Sequence, residues 1–229
     1  MVTKQRILLL ALLMTSLLFS TIYFSNVMLN RQRESAILNQ MGTFVGNYEE
    51  MQTLTMMSDV FGQEVTCLSM QARIRSMDKE LWDTGLKIDQ YRAVTEQFMT
   101  DPFYIEQKRR FNNNEIMYFS LVKQMKEWCD VNQTTILYFY KKKEECPDCD
   151  AQSFVLTDIK KEVKGSISIF SFDADLDLAP VQILATYYNL SNYPCTVIED
   201  ISYCGLFNKD RLLEMIAQAE GSAPQAQKK

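Results

Sequence analysis

The first long stretch of the chain is apolar throughout. Residues 7–29 contain no charged side chain, with Lys4 and Arg6 before them and Arg31 and Arg33 after them. At a rise of about 1.5 Å per residue this stretch is about 34 Å long as a helix, and the hydrocarbon core of a bilayer is about 30 Å thick. Residues 1–33 are therefore predicted to form an uncleaved transmembrane anchor.

Two other interpretations of this segment stay open. A cleaved signal peptide has an apolar region of about 7–15 residues followed by a small-residue cleavage site, whereas this run is longer and residues 24–28 offer no clear site. A buried helix of a soluble protein is the remaining alternative. The flanking basic residues are nearly balanced, and the α-amino group favours an N-inside orientation. That orientation predicts a single-pass membrane protein whose soluble part lies on the extracytoplasmic side.

Residues 34–131 follow a helical pattern. Thr100-Asp101-Pro102 has the composition of a helix start, so we predict an antiparallel helical hairpin, or small bundle, broken near residue 100. Apolar stripes at helical spacing are usually buried, which favours the core of this hairpin over a partner-binding face. The stripes are Ile37, Met41, Phe44, Tyr48 and Met51; Leu68, Met77, Leu81, Ile88, Tyr91, Val94 and Phe98; and Phe103, Phe111, Met117, Leu121, Met125 and Trp128.

Residues 132–219 alternate between short apolar runs and helical patterns. Strands are predicted at 136–140, 166–172, 196–198 and 201–203, and helices at 151–163, 178–190 and 209–219, with Gly165 ending the first of these helices. The order β-α-β-α-β-β-α combines one parallel crossover with a terminal antiparallel hairpin. We therefore expect an α/β domain that follows a transmembrane helix and a helical region. Residues 220–229 have the composition of a disordered tail.

Composition narrows the chemistry that the chain can perform. The sequence contains no histidine, which excludes Ser-His and Cys-His catalysis and any metal site that needs imidazole. The formal net charge of −5 gives no basic signature for nucleic-acid binding. Six cysteines are present, an even number that permits three disulfides.

Two of these cysteines form the motif Cys146-Pro147-Asp148-Cys149. The motif follows a predicted strand and precedes a predicted helix. Thiols three residues apart can close and reopen a small disulfide ring, and a helix N-terminus favours thiolate over thiol. A strand, a CxxC motif and a helix in this order indicate thiol–disulfide exchange.

Residues 135–219 resemble the thioredoxin-like superfamily, most closely its short glutaredoxin-like members. The resemblance rests on the CxxC motif after the first strand, on Tyr193-Pro194 directly before a strand, and on Gly205 between the hairpin and the last helix. It implies that Cys146 is the more exposed, nucleophilic cysteine and that Cys149 is the resolving one. It also implies that Pro194, after a cis peptide bond, shapes a substrate groove, and that the Tyr193 backbone pairs with a bound peptide.

The motif's surroundings depart from the family pattern. Glu144 and Glu145 stand where many relatives carry an aromatic residue, and Tyr140 stands where thioredoxin has a buried aspartate used in proton transfer. The acidic neighbours, including Asp148, are expected to raise the pKa of Cys146. Residues 141–143 are all lysines. They are expected to lower this pKa if they lie near the thiol, but a charge run of this kind is usually a solvated loop. The sequence leaves open whether the protein oxidises or reduces its substrates.

The remaining four cysteines suggest two further disulfides. Cys67 and Cys129 lie near the open end of the predicted hairpin, where a bridge would join the two helices; free, apolar thiols are the alternative. If Glu199-Asp200 is a two-residue turn, Cys195 lies opposite Cys204 at a non-hydrogen-bonded pair, with Cα atoms about 4.5 Å apart. We predict this bridge, in a position to exchange electrons with the active pair. Reduced thiols are the alternative.

The function predicted from the sequence is that of a membrane-anchored thiol–disulfide oxidoreductase acting through Cys146 and Cys149. Its expected partners are protein thiols and disulfides, with a membrane electron-transfer protein as a further candidate; no cofactor and no nucleic acid is expected. One alternative is a non-catalytic peptide-binding module with a permanent Cys146–Cys149 disulfide. Another is a metal or iron–sulfur site formed by these two residues with Cys195 and Cys204.

Overall fold

Three long helices precede a small mixed sheet in the computed structural model of the protein, which describes residues 2–94, 101–129, 131, 133–163 and 167–222. The described elements make a helix-rich α/β structure. In chain order they are α1 (Val2–Phe61), α2 (Gln63–Val94), α3 (Pro102–Cys129), β1 (Thr134–Tyr140), α4 (Cys149–Glu162), β2 (Ile167–Asp173), α5 (Ala179–Tyr187), β3 (Cys195–Ile198), β4 (Ile201–Cys204) and α6 (Lys209–Ser222).

Helix α1 continues without a break from the apolar segment into the helical region. The apolar side chains of the segment are exposed, with Leu8 at 70% and Phe24 at 69%. By length and composition this helix can cross a membrane, a property that an N-terminal signal sequence shares. Gly62 follows the helix with φ +87° and donates its N–H to the Ser58 carbonyl at 3.0 Å. A glycine in this left-handed conformation ends the helix and allows the chain to reverse into α2.

The second half of α1 packs with α2 and α3 into a three-helix bundle. Phe44 and Met51 from α1 and Met77 from α2 are almost fully buried, as the helical spacing predicted. The Phe44 and Tyr118 rings meet edge to face at 6.2 Å, and the Tyr118 hydroxyl donates to the Ile74 carbonyl at 2.9 Å. Burial of these aromatic and methionine side chains stabilises the bundle, and the aromatic pair adds about 0.5–1.5 kcal/mol.

Among the stripe residues whose burial the structure describes, two are exposed. Leu68 is 73% exposed and Trp128 is 43% exposed, so their predicted burial was wrong. Met70 and Ile74 occupy the buried face of α2 instead, and Leu68 lies on a different face of the same helix because each residue turns about 100°. Several other predictions lie outside the described residues: the break near residue 100, the burial of Phe98, the helix end at Gly165 and residues 223–229 of the tail.

A disulfide joins Cys67 of α2 to Cys129 of α3, with Cα atoms 5.3 Å apart. This confirms the bridge predicted between the two helices. Both cysteines are half-buried at the end of the bundle opposite the apolar segment. A hydrogen bond joins α2 and α3 at the same end, because the Gln71 side chain donates to the Cys129 carbonyl at 3.4 Å.

Removing this bridge is expected to destabilise the bundle. In the double variant Cys67→Ala/Cys129→Ala the unfolded chain gains the freedom that a long closed loop denies it, so the free energy of unfolding should fall by about 2–4 kcal/mol. Urea unfolding of the full chain in detergent micelles measures the change. Ser69→Ala, an exposed position on the same turn of α2, is the control and should change stability by less than about 0.5 kcal/mol. Equal unfolding free energies for the double variant and the control would contradict a stabilising bridge.

The four strands form one sheet in the order β2-β1-β3-β4. Strand β1 is central, parallel to β2 and antiparallel to β3, and β3 pairs antiparallel with β4. Alternating side chains of the sheet pack against α3 and α5 on one face and against α4 and α6 on the other. Because both faces are covered, β1 is buried along almost its whole length.

The hairpin between β3 and β4 has the predicted register. Ile198 pairs with Ile201 and Cys195 pairs with Cys204. Glu199 and Asp200 form the turn with φ values of +47° and +72°, the left-handed conformations that a type I′ turn requires. The bundle supports both turn residues, since Lys126 of α3 pairs with Glu199 at 2.7 Å and Lys123 pairs with Asp200.

Candidate redox site at the carboxyl end of strand β1

The CxxC motif lies in a short loop between β1 and α4. The Cys146 N–H donates to the Lys142 carbonyl at 2.9 Å, which closes the loop into a turn. The Cys149 N–H donates to the Cys146 carbonyl at 3.2 Å, and α4 begins at Cys149. The positive end of the helix dipole therefore lies at the second cysteine, whereas the family resemblance implied that Cys146 would be the cysteine at the helix N-terminus.

Cys146 and Cys149 form a disulfide with Cα atoms 5.4 Å apart. The two residues are 1% and 3% exposed. The expectation that Cys146 is the more exposed of the pair is therefore wrong. Its sulfur turns towards Cys149 inside the closed turn, while Pro147 and Asp148 form the exposed surface of the loop.

The structure brings Tyr193 and Pro194 to this loop. The Tyr193–Pro194 peptide bond is cis, as expected, and β3 begins with the next residue. Pairing of Phe139 with Cys195 places Pro194 beside the end of β1. The Lys141 ammonium lies 5.4 Å from the centre of the Tyr193 ring, and the Lys141 N–H lies 3.5 Å from the Cys149 sulfur.

Gly205 holds the other side of Pro194. Its N–H donates to the Pro194 carbonyl at 2.7 Å. Its φ of +119° is a conformation that residues with a Cβ rarely adopt, which explains why a glycine occupies this position. Two residues later the Phe207 N–H donates to the side-chain oxygen of Gln152 on α4, at 2.7 Å. The CxxC motif, Tyr193-Pro194 and Gly205, on which the resemblance rested, therefore lie close together in the structure. Hydrogen bonds and strand pairing connect them.

The charges around the motif largely pair with each other. Lys141 and Lys142 bind the Glu145 carboxylate at 2.6 and 3.1 Å. The Lys141 hydrogen bond, followed by that from Lys142, lowers the pKa of Glu145, and the same carboxylate raises the pKa of both lysines. The two lysines and Glu145 therefore pair with one another, and the loop charges leave the direction of exchange open.

A buried polar cluster lies next to the motif and was not predicted. Lys108 of α3 forms an ion pair with Asp173 at the end of β2, and its ammonium lies 5.1 Å from the centre of the Tyr140 ring. Burial raises the pKa of Tyr140. Burial alone would lower the pKa of Lys108, but the Tyr140 phenol, in the pH range where it ionises, and the Asp173 carboxylate outweigh this and raise it. Tyr140 is therefore a neutral phenol against a permanent cation.

Glu115 extends this cluster along α3. Its carboxylate oxygen accepts the Ser171 N–H at 2.7 Å, and Asn112 accepts the Asp173 N–H at 2.9 Å. Lys108, Asn112 and Glu115 recur at spacings of four and three residues. Such a polar stripe on an amphipathic helix is the signal by which the sequence could have revealed the cluster. Burial raises the pKa of Glu115 well above its ordinary value, more than the Ser171 hydrogen bond lowers it.

The buried carboxyl of Glu115 should make stability depend on pH. The folded protein keeps the proton to a higher pH than the unfolded chain, which releases it near pH 4.3. This contribution is complete below about pH 4.3 and is lost as pH rises towards the folded pKa. Glu115→Gln stays neutral and keeps an acceptor for Ser171, so its melting temperature should fall less than that of the natural protein between pH 5 and pH 8. Parallel melting curves across this range would contradict the assignment.

Cys195 and Cys204 form a second disulfide near the motif, with Cα atoms 4.0 Å apart. This confirms the predicted pairing, although not the exchange of electrons with the active pair. The Cys195 side chain packs with Phe139 on the sheet face that contacts α3 and α5. Cys149 begins α4, which packs on the opposite face. The Cys195 side chain therefore lies on the face of the sheet away from α4.

A four-cysteine metal or iron–sulfur site is not formed. All six cysteines are paired in the three disulfides. Within the part of the chain that the structure describes, no group of three or more cysteine, aspartate or glutamate side chains is arranged to hold a metal ion.

Comparisons with known proteins assign the chain to no family. No protein-family model matches it, and no curated protein matches it. A solved structure described as "Structure of a malarial protein" matches 38% of this chain and 98% of its own, with 19% sequence identity and a TM-score of 0.34. A similarity of this size carries no argument about fold or function.

Proposed function

We propose that the protein is a membrane-anchored thiol–disulfide oxidoreductase that exchanges disulfides with protein thiols through Cys146 and Cys149. The observation that carries the proposal is the Cys146–Cys149 disulfide at the start of α4, with Tyr193-Pro194 beside it. The sheet order and the cis peptide bond support a thioredoxin-like fold for the C-terminal part. The long apolar segment of α1 supports the anchor, and three disulfides support an extracytoplasmic location.

In the reducing direction, the Cys146 thiolate attacks one sulfur of a substrate disulfide. A new bond forms between Cys146 and that sulfur, and the other substrate sulfur leaves as a thiolate that takes a proton. The Cys149 thiolate then attacks the Cys146 sulfur and releases the second substrate thiol. The substrate gains two electrons, and the protein is left with the Cys146–Cys149 disulfide. The same steps in reverse oxidise a pair of substrate thiols.

Substrate access requires the loop after β1 to move, because both sulfurs are buried. The loop is held by the Lys142–Cys146 turn and by surface ion pairs from Lys141 and Lys142. Exposed ion pairs of this kind are screened by water and contribute little to stability, so breaking them costs little when the loop opens. The Tyr193 backbone, before the cis bond to Pro194, can then pair with an extended peptide, which is the binding mode proposed for the substrate.

A peptide-exchange assay tests the proposal. Reduced full-length protein in detergent micelles is mixed with a glutathionylated soluble peptide, and release of the peptide thiol is followed by mass spectrometry. We expect the peptide thiol to be released, with one Cys146–Cys149 disulfide formed for each peptide that is reduced. Cys146→Ser is the matched control and should release no peptide beyond the uncatalysed background. Equal rates for the two proteins would refute exchange through Cys146.

The burial of both cysteines favours one second candidate, a peptide-binding module in which Cys146–Cys149 is a permanent disulfide. On this account the pair withstands dithiothreitol under native conditions, because a reductant cannot reach either sulfur. Alkylation of the native protein with iodoacetamide after mild reduction, followed by peptide mapping, distinguishes the two. Alkylated Cys146 supports the oxidoreductase, and an intact pair supports the binding module.

A further inference from the structure

The bundle fixes the direction in which the redox site points. Tyr104 of α3 packs with Ile37 of α1, and Tyr118, further along α3, packs with Phe44, further along α1. The two helices therefore run in the same direction, away from the apolar segment. The start of α3 is the end of the bundle nearest to that segment.

The sheet lies along α3 with its strands in a defined orientation. Lys108, near the start of α3, pairs with Asp173 at the carboxyl end of β2. Lys126, near the end of α3, pairs with Glu199 in the hairpin turn, whose carboxylate also accepts the N–H of Thr135 at the start of β1 at 2.6 Å. Strand β1 therefore runs from the far end of the bundle back towards the apolar segment.

The distance between the site and the segment follows from helix geometry. At about 1.5 Å per residue, Lys108 lies about 15 Å below Tyr118 along α3, and Arg31 lies about 20 Å below Phe44 along α1. Since Tyr118 and Phe44 are in contact, Lys108 lies about 5 Å beyond the level of Arg31, the first charged residue after the apolar segment. The same count from Ile37 and Tyr104, which share a buried cluster, places Lys108 about 15 Å beyond Arg31. Helices of a bundle lie within about 20° of one another, so the tilt changes this little.

A second route through different contacts agrees. The Asn47 side chain of α1 donates to Glu80 of α2 at 2.5 Å, and Asp78, on the same turn of α2, accepts from Ser168 of β2 at 2.9 Å. Asn47 lies about 24 Å beyond Arg31. From Ser168, β2 returns by about 16 Å to Asp173. This route places Asp173 about 8 Å beyond Arg31.

The redox loop lies at this end of the sheet. Asp173 pairs with Tyr140 in the β1–β2 register. The loop follows Tyr140, and its Lys142 N–H donates to the Asp175 side chain at 2.7 Å. The Cys146–Cys149 disulfide therefore lies within about 15 Å of the level at which the apolar segment ends. A folded soluble domain of 100 residues has a radius of gyration of about 13 Å, so its full width exceeds that gap.

From this geometry we infer that the redox partner of Cys146 and Cys149 is an integral membrane protein whose reactive cysteine lies within about 15 Å of the bilayer surface. The inference rests on the proposed exchange function and on the membrane anchor, and it adds the class of partner. A partner in the same bilayer is confined to the same two-dimensional surface as the anchor. Its cysteine therefore meets the loop at a high effective concentration when both lie at the same distance from the bilayer surface.

Two reporter peptides test the height requirement. Each is a single transmembrane helix with a rigid helical stalk that carries one cysteine as a glutathione mixed disulfide, about 5 Å or about 32 Å beyond the apolar segment. Each is reconstituted with reduced full-length protein in phosphatidylcholine vesicles. The protein gives two electrons and becomes the Cys146–Cys149 disulfide, while the reporter thiol and glutathione are released. We expect the low reporter to react at least ten times faster than the high one.

The matched variant carries an insertion of eighteen helix-forming residues between Arg33 and Glu34, before the first buried bundle residue, Ile37. Eighteen residues make five full turns, so the bundle rises by about 27 Å without rotating. This variant should prefer the high reporter and should match the natural protein on a soluble glutathionylated peptide. Equal rates with both reporters, or an unchanged preference after the insertion, would overturn the inference. No reaction even with the soluble peptide would remove the proposed exchange function and this inference with it.

Discussion

Cys149→Ser should accumulate mixed disulfides between Cys146 and substrate proteins. In the natural protein the Cys149 thiolate resolves the mixed disulfide, and its position at the first residue of α4 favours the ionised form. Serine at this position cannot attack the Cys146 sulfur. The adducts should therefore persist, at a level at least about ten times that of the natural protein, when cells are acidified and alkylated before non-reducing electrophoresis.

The cysteine variants themselves provide the controls for this trap. The double variant Cys146→Ser/Cys149→Ser should form no adducts, since the attacking thiol is gone. A Cys195→Ser/Cys204→Ser variant should leave trapping in a Cys149→Ser background unchanged, because the Cys195 side chain packs on the sheet face away from α4. Adducts that survive removal of Cys146, or that vanish without Cys195 and Cys204, would refute the assigned roles.

Lys108→Met should strongly destabilise the contact between the bundle and the sheet. The Lys108 and Asp173 side chains are only 17% and 7% exposed, so the substitution leaves a buried carboxylate without its cation. Breaking one partner of a buried pair costs about 3–5 kcal/mol. The Asp175 N–H still donates to Asp173 at 2.9 Å, which favours the lower end of this range. Urea unfolding of the full chain measures the loss.

Two further variants isolate the buried charge as the cause. Lys123→Met, on the same helix, breaks an ion pair with Asp200 whose side chains are 30% and 49% exposed, and it should cost less than about 1 kcal/mol. Lys108→Met/Asp173→Asn removes both buried charges and should recover part of the loss. A Lys108→Met variant as stable as Lys123→Met would show that the buried ion pair contributes no more to stability than the exposed one.

Local patterns predicted much of the fold. Helical spacing identified Phe44, Met51 and Met77 as core residues, and the apolar run of residues 7–29 forms an exposed part of α1. Counting outward from Glu199-Asp200 placed Cys195 opposite Cys204, because a two-residue turn fixes the strand register. These features depend on residues that are close in sequence.

Long-range contacts account for what the sequence did not reveal about the site. Lys108 and Asp173 are 65 residues apart, and nothing local marks them as partners. The burial of Cys146 depends on how the loop after β1 closes against the rest of the domain. The placement of Cys195 on the face away from Cys149 could have been predicted, because side chains alternate along a strand and α4 packs on the other face. Helical propensity alone could not show that α1 passes unbroken from the apolar segment into the bundle.

The reduction potential of the Cys146–Cys149 pair is the measurement that tests the proposed exchange chemistry most directly. The full-length protein is equilibrated in glutathione buffers of defined ratio, and the reduced fraction of Cys146 is read by alkylation and mass spectrometry. An exchanging pair should have a potential between about −270 and −120 mV, the lower limit indicating a reductant and the upper limit an oxidant. A pair that stays oxidised below about −300 mV would be a structural disulfide and would contradict the account.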